Sequence, residues 1–145
     1  MAEGLLRQAL QRAGIERVNV ESAGVFAIEG MLSTRETQKV LQDVGVDCSN
    51  HRARTLTSQM IEHADLVLVM EQFQVEEVLR RFPSAREKVH LLKSYGLAQH
   101  ETGGQVNIPD PIGKPLEVYE VCFAEIRDAV ERVAKSLGVR SVDER

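Results

Sequence analysis

Hydrophobic and polar positions alternate along this chain in blocks of two periods. The opening MAEGLLRQALQRAG places Leu5, Leu6, Ala9, Leu10 and Ala13 on one stripe at helical spacing, and Gly14 is a natural stop. RVNVES follows as a short strand over 18–22, and AGVFAIEGML as a loop. Ser33 and Glu36 have capping-box spacing ahead of a helix through Val40, Leu41 and Val44, with Gly45 behind it. Thr57 can cap a short helix over SQMIEHA. DLVLVM, 65–70, is a continuous apolar run suited to a parallel strand buried on both faces. EQFQVEEVLRRF reads as a helix closed by Pro83, and KVHLL as another strand. Residues 93–115 carry Gly96, Gly103, Gly104, Pro109, Pro111, Gly113 and Pro115 and read as loop. A last helix runs from Leu116 to Leu137, with Val118, Val121, Cys122, Ile126, Val130 and Val133 as its inner stripe.

Strands and helices alternate, so the predicted class is α/β: one domain over 1–145 with a parallel sheet and helices on both faces. Such folds ordinarily open on a strand that feeds the first helix. Here the helix comes first, and only three strands are legible, 18–22, 66–70 and 89–92, against roughly 4–6 in a usual sheet. The expectation is therefore that the first strand is absent.

Composition narrows the function classes. The chain has 145 residues, 43% of them hydrophobic, and no apolar run approaches the ~20 residues of a membrane span. No leader pattern opens it, so the expected address is the cytoplasm, with no membrane partner. A net charge of -4 without any basic cluster argues against a nucleic-acid partner. Cys48 and Cys122 lie far apart with no CxxC partner and read as free thiols. His51, His63, His90 and His100 lack ligand spacing, so neither a metal nor another cofactor is expected.

One stretch imitates a catalytic signature. CSNHRART, 48–55, satisfies C-x5-R-S/T, the pattern in which a cysteine thiolate attacks phosphorus and an arginine clamps the phosphoryl oxygens. The chemistry needs more than spacing. Backbone amides must converge on the phosphate, and the loop must run from a buried strand into a helix N-terminus that lowers the thiol pKa. Around Cys48 there is no glycine from 49 to 54, the preceding element is a helix, and VDCS is too short and polar for a central strand. Cys48 is read as a decoy in a surface connector.

Five stretches in order resemble the low-molecular-weight protein tyrosine phosphatase family, including its bacterial protein-arginine-phosphatase branch. MAEGLLR is similar to the start of the family's first helix, and ESAGVFA to its second strand and following loop. HRARTLT, ADLVLVM and IPDPIGKPLEVYEVCFAEI are similar to its H-x-A/S-R segment, third strand, and acid loop with last helix. In that family a strand and a loop C-x-G-N-x-C-R-S-P stand just before MAEG. The resemblance implies that the nucleophilic cysteine, the clamping arginine and the loop glycine are missing here, through a start assigned too far downstream, a shortened chain or a gene that lost its loop. It places that missing strand mid-sheet, so exposed strand edges and self-association are expected.

The resemblance also implies roles for residues that remain. Asp110, fenced by Pro109 and Pro111, would be the general acid/base; a simple D-P turn is the competing reading. Ala2, Glu3 and Gly4, at the first turn of the opening helix, and Ser22 would be remnants of the phosphate site, although Glu3 does not help an anion there. His51 and Arg54 would support the site or merely form a solvated connector. Phe26, Ile28 and Ile112 would wall the pocket. With aromatics at 4% and Ile112-Gly113 where many members have two tyrosines, the walls lean toward phosphoarginine. The expected partner of a complete member is a phosphorylated protein. This chain is expected to be inactive, and a pseudophosphatase or binding module is the alternative. An arsenate reductase would need resolving cysteines close together, which Cys48 and Cys122 are not.

Overall fold

The structure, a computed structural model, describes residues 1–98, 101 and 104–143, the last five as backbone only. His100 and Gly103 lie outside the described residues. Helix α1 (Ala2–Arg12) buries Leu5, Ala9 and Leu10. It ends as its sequence predicts: Ile15 N–H reaches back to Leu10 O at 2.9 Å, and Gly14 takes the left-handed turn at φ 71 that a side chain would oppose. Helix α2 (Arg35–Gln42) starts one residue later than expected. Thr34 rather than Ser33 is the cap, its hydroxyl accepting from Thr37 N–H at 3.2 Å, so Glu36 falls one place short of the reciprocal box position. Thr57 caps α3 (Ser58–His63) as predicted.

The sheet has two parallel strands, β1 (Val67–Val69) and β2 (Val89–Leu91), with Val67 opposite Val89. Side chains of β1 alternate between two cores. Val67 and Val69 face a cluster around Ile61, Val78, Ala85 and Val89, supplied by α3, α4 (Gln72–Arg81) and the turn after it. Leu68 and its neighbour Met70 face a larger cluster built on Leu5, Leu41, Ile126, Val130 and Val133 from α1, α2 and α5 (Leu116–Asp143). Helices thus cover both faces of a small parallel sheet, as the α/β reading requires.

Three expectations fail locally. Residues 18–22 form no strand. The carbonyls of Val20 and Ser22 are taken by side chains, Arg7 Nη2 at 2.6 Å and Arg54 Nε at 3.0 Å, while Val18 and Val20 pack beside Ala9, Leu10 and Ala134. The segment has its apolar partners but no ladder.

The other two concern α5. It runs on to Asp143 instead of stopping at Leu137. Gly138 does not end it; there a Cβ would stand 3.2 Å from Ile15 Cδ1, so the glycine serves a close approach. The inner stripe is also rotated. Tyr119, Cys122, Ile126, Ala129, Val130, Val133 and Ala134 are buried, while Val118 and Val121 are 41% and 61% exposed. Among the described residues no helix is long and apolar enough to cross a membrane.

Candidate active site

A cavity of about 260 Å³ opens where the C-terminal end of β1, the N-terminus of α1 and the 108–112 loop meet. Ligand sites in α/β folds favour this end of the strands. Core side chains Ile108, Cys122 and Ile126 line its depth, and Asp110, Pro111, Ile112, Thr34, Thr37, Glu71 and Gln74 complete the wall beside Met1 and Ala2.

The loop carrying Asp110 is tied to the β1–α4 junction. Ile108 N–H donates to Met70 O at 2.9 Å, and Asn107 Oδ1 accepts from Gln72 N–H at 2.8 Å. The junction is itself fixed by Gln74, whose Oε1 accepts from the amides of Met70 and Glu71 at 2.8 and 3.1 Å, while Glu71 and Gln74 close a capping box. Asp110 Oδ1 then accepts from Ile112 N–H at 3.0 Å, an Asx turn that restrains the carboxylate between its two prolines. Asp110 is exposed at the rim of the cavity.

The four residues named as phosphate-site remnants part company. Ala2 lines the cavity. Met1 makes no side-chain cap bond, so the first-turn amides of α1 present their partial positive charge there without a capping side chain. Glu3, four-fifths or more buried, looks elsewhere. One carboxylate oxygen pairs with Arg7 Nη2 at 2.8 Å; the other accepts from the Ser22 hydroxyl and lies 3.5 Å from His51 Nδ1. Gly4 is a packing residue, since a Cβ there would stand 2.7 Å from Val46 Cγ1. Glu3, Ser22 and His51 therefore form a polar knot beside α1, joined by Arg54 on Ser22 O, and none of them lines the cavity.

The pocket-wall residues also divide. Ile112 lines the cavity, whereas Phe26 and Ile28 stand in solvent outside it, Phe26 beneath the Arg81 guanidinium with Cζ 5.2 Å from the ring centroid. Cys48 is half-buried against the main core. The amides after it are spent on the chain itself: Ser49 on Asp47 Oδ1, His51 on Cys48 O, Ala53 on Met31 O and Thr55 on Glu29 Oε1. They do not converge on a common point. The other thiol, Cys122, donates weakly to Pro109 O at 4.0 Å, and burial, with Glu125 nearby, pushes its pKa up, so it stays neutral at physiological pH. No cationic side chain occurs among the described lining residues. Among the described residues the cavity thus combines an exposed carboxylate and a helix N-terminus, with no cationic side chain in its lining.

Sequence reasoning missed Thr34, Thr37, Glu71, Gln74, Asn107, Tyr119 and Cys122 as neighbours of this site. The Glu71–Gln74 pair was findable, for it has capping-box spacing directly after an apolar strand. The others enter through tertiary packing that no local pattern encodes.

Comparison with known proteins gives the architecture a family. The profile of the low molecular weight phosphotyrosine protein phosphatase family matches residues 1–143. A protein-arginine-phosphatase of Geobacillus stearothermophilus is 34% identical over 128 residues, 88% of this chain and 82% of that protein. A probable low molecular weight protein-tyrosine-phosphatase, EpsP of Ralstonia solanacearum, is 36% identical over 131 residues, 90% and 81% of the two chains. The solved YwlE arginine phosphatase from Geobacillus stearothermophilus superposes with a TM-score of 0.85 at 29% identity, covering 99% of this chain and 90% of that one. A helix N-terminus and a proline-fenced aspartate around one cavity, on this fold and with these relatives, show that the chain belongs to the low-molecular-weight phosphotyrosine protein phosphatase family.

Proposed function

We propose that this chain carries the acid/base and helix-dipole half of a cysteine-dependent protein phosphatase site, and that these 145 residues alone do not turn over a phosphorylated side chain. The observation that carries the reading is Asp110, restrained at the rim of the cavity that Ala2 also lines. In the complete reaction Asp110 would protonate the leaving group as a phosphocysteine forms, then activate the water that hydrolyses it. Such acid–base help is worth roughly 10²–10⁴-fold and does not replace a nucleophile and an oxyanion clamp. Cys48, with its dispersed amides, and Cys122, with its raised pKa, both lack what activates a thiolate.

Between the two substrates of the relatives, phosphoarginine is the better supported. The wall at Ile112 is aliphatic, Tyr119 is the sole aromatic among the described lining residues and is buried, and Phe26 is engaged by Arg81 outside the cavity. A flat stacking slot for a phenyl ring is not formed.

The test uses para-nitrophenyl phosphate and a phosphoarginine peptide on two proteins. One is the 145-residue chain; the other is the same chain extended upstream by the strand and loop of the Geobacillus relative. The expected result is no turnover in the first and turnover in the second that falls about 10²–10⁴-fold in Asp110→Asn. Activity of the 145-residue chain that is lost in Cys48→Ser would overturn the proposal. An extended chain that binds phosphate analogues without turnover would move the reading to a binding module.

A further inference from the structure

Residues 24–32 form no regular element, yet both ends are pinned to residues 52–56. At one end Gly24 N–H donates to Arg54 O at 2.9 Å and Leu56 N–H to Gly24 O at 3.0 Å. At the other, Gly30 N–H donates to Ala53 O and Ala53 N–H to Met31 O, each at 2.8 Å. The Thr55 amide belongs to neither of these backbone pairs. It donates instead to a carboxylate oxygen, Glu29 Oε1. The segment so held carries four large apolar side chains facing solvent, Phe26 and Ile28 being 69% and 67% exposed beside Met31 and Leu32. An untethered loop of this composition would bury those groups by folding onto itself or onto α4.

We propose that Glu29 is a carboxylate latch: by accepting the Thr55 amide it holds residues 24–32 as a fixed arm with Phe26 and Ile28 outward, and protonation releases the arm. The latch requires no turnover and is independent of the catalytic reading. The charged groups of the surrounding elements are Arg54, which is shared with Glu21 at 3.5 Å, Arg52 on the paired segment, and Arg81 of α4 over Phe26. The Thr55 bonds, with Arg54 as a smaller contributor, hold the Glu29 carboxyl below its ordinary pKa. For a carboxylate lowered in the folded state, the contribution is complete above the ordinary carboxylate pKa and is lost as pH falls through the folded value. Release therefore belongs to the acid side of the ordinary range, and the arm is closed at neutral pH.

Amide NMR on the full chain tests this. In the wild type the Thr55 amide proton shift should titrate with Glu29, and the protection of Gly30 and Ala53, corrected for intrinsic exchange, should fall on the same curve as pH is lowered. In Glu29→Ala those two amides should exchange about 10-fold faster at neutral pH, as loss of one charge-assisted bond implies, while Leu92 and Val133 keep their protection. Glu29→Gln keeps an acceptor and should abolish the pH dependence. A Thr55 shift that is flat through the carboxylate range would overturn the proposal. So would unchanged exchange at Gly30 and Ala53 in Glu29→Ala, or a pH dependence of their protection, corrected for intrinsic exchange, that survives in Glu29→Gln. If Glu29→Ala fails to fold, the wild-type titration and the Gln variant still decide.

Discussion

At the scale of single residues, Gly4 shows how a position chosen for one role can serve another. Glycine in a helix interior costs roughly 0.5–1 kcal/mol relative to alanine, so Gly4→Ala should help α1 if space allowed it. Space does not allow it: the added Cβ would stand 2.7 Å from a γ-carbon of Val46, whose branched side chain cannot swing away freely. Overpacking typically costs about 1–3 kcal/mol and outweighs the helix gain. Gly4→Ala should therefore lower stability in a urea melt, and should raise it when built on Val46→Ala. A destabilising Gly4→Ala in both backgrounds would mean that the contact with Val46 is not the cause. The restrained turn at Asp110 was legible because two flanking prolines fix the backbone, whereas its acid/base role came only from the resemblance and stays a proposal. The knot of Glu3, Ser22 and His51 was not, since those residues are 19 to 48 positions apart and meet only when α1 docks.

Among elements, the helices were legible where a cap or a stop is written locally, as at Thr57, Gly14 and Gly45. They were misread where tertiary contact decides. Val118 and Val121 share the apolar identity of the buried positions on α5, yet the helix buries Tyr119 beside Cys122, which packs with Ile108 and Leu5 as the inner stripe requires, and the valines are left in solvent. Helix α4 adds an electrostatic prediction. Glu77 Oε1 lies 2.6 Å from Arg80 Nη2 and 2.7 Å from Arg81 Nε, and the bonds from Arg80 and then Arg81 take its pKa down to about 2. Because the folded-state value is lowered, this contribution is present above the ordinary carboxylate pKa and is lost as pH falls toward about 2. The melting temperature of Glu77→Gln should lie below wild type at neutral pH and converge with it in acid. A gap that stays constant with pH would show that the ion pairs do not carry it.

For the whole molecule, the layer order was readable from alternating blocks, because an apolar strand and amphipathic helices have few ways to bury each other. The reach of the sheet was not. VNVES has strand composition, but pairing depends on a neighbour, and here Arg7 and Arg54 satisfy the carbonyls that a ladder would use. On the free side of β1, the main chain of Leu68 points away from β2, toward an edge that bears no strand among the described residues. Open edges recruit other edges. Sedimentation velocity over a range of protein concentrations should show the chain associating as concentration rises. A single monomeric species throughout would mean that the surrounding loops shield this edge.

Lys88 carries a consequence for chemical footprinting. Its ammonium donates to the carbonyls of Ile61 and Ala64, the latter at 3.0 Å, and so ties the end of α3 to the start of β2. Of the five lysines, Lys39, Lys114 and Lys135 are exposed to solvent, whereas Lys88 has its nitrogen occupied. Acylating reagents should modify those three first and reach Lys88 only when α3 swings off the sheet. The rate at which Lys88 is modified, read by mass spectrometry, thus becomes a clock for the undocking of one helix in a protein that has no tryptophan to report it.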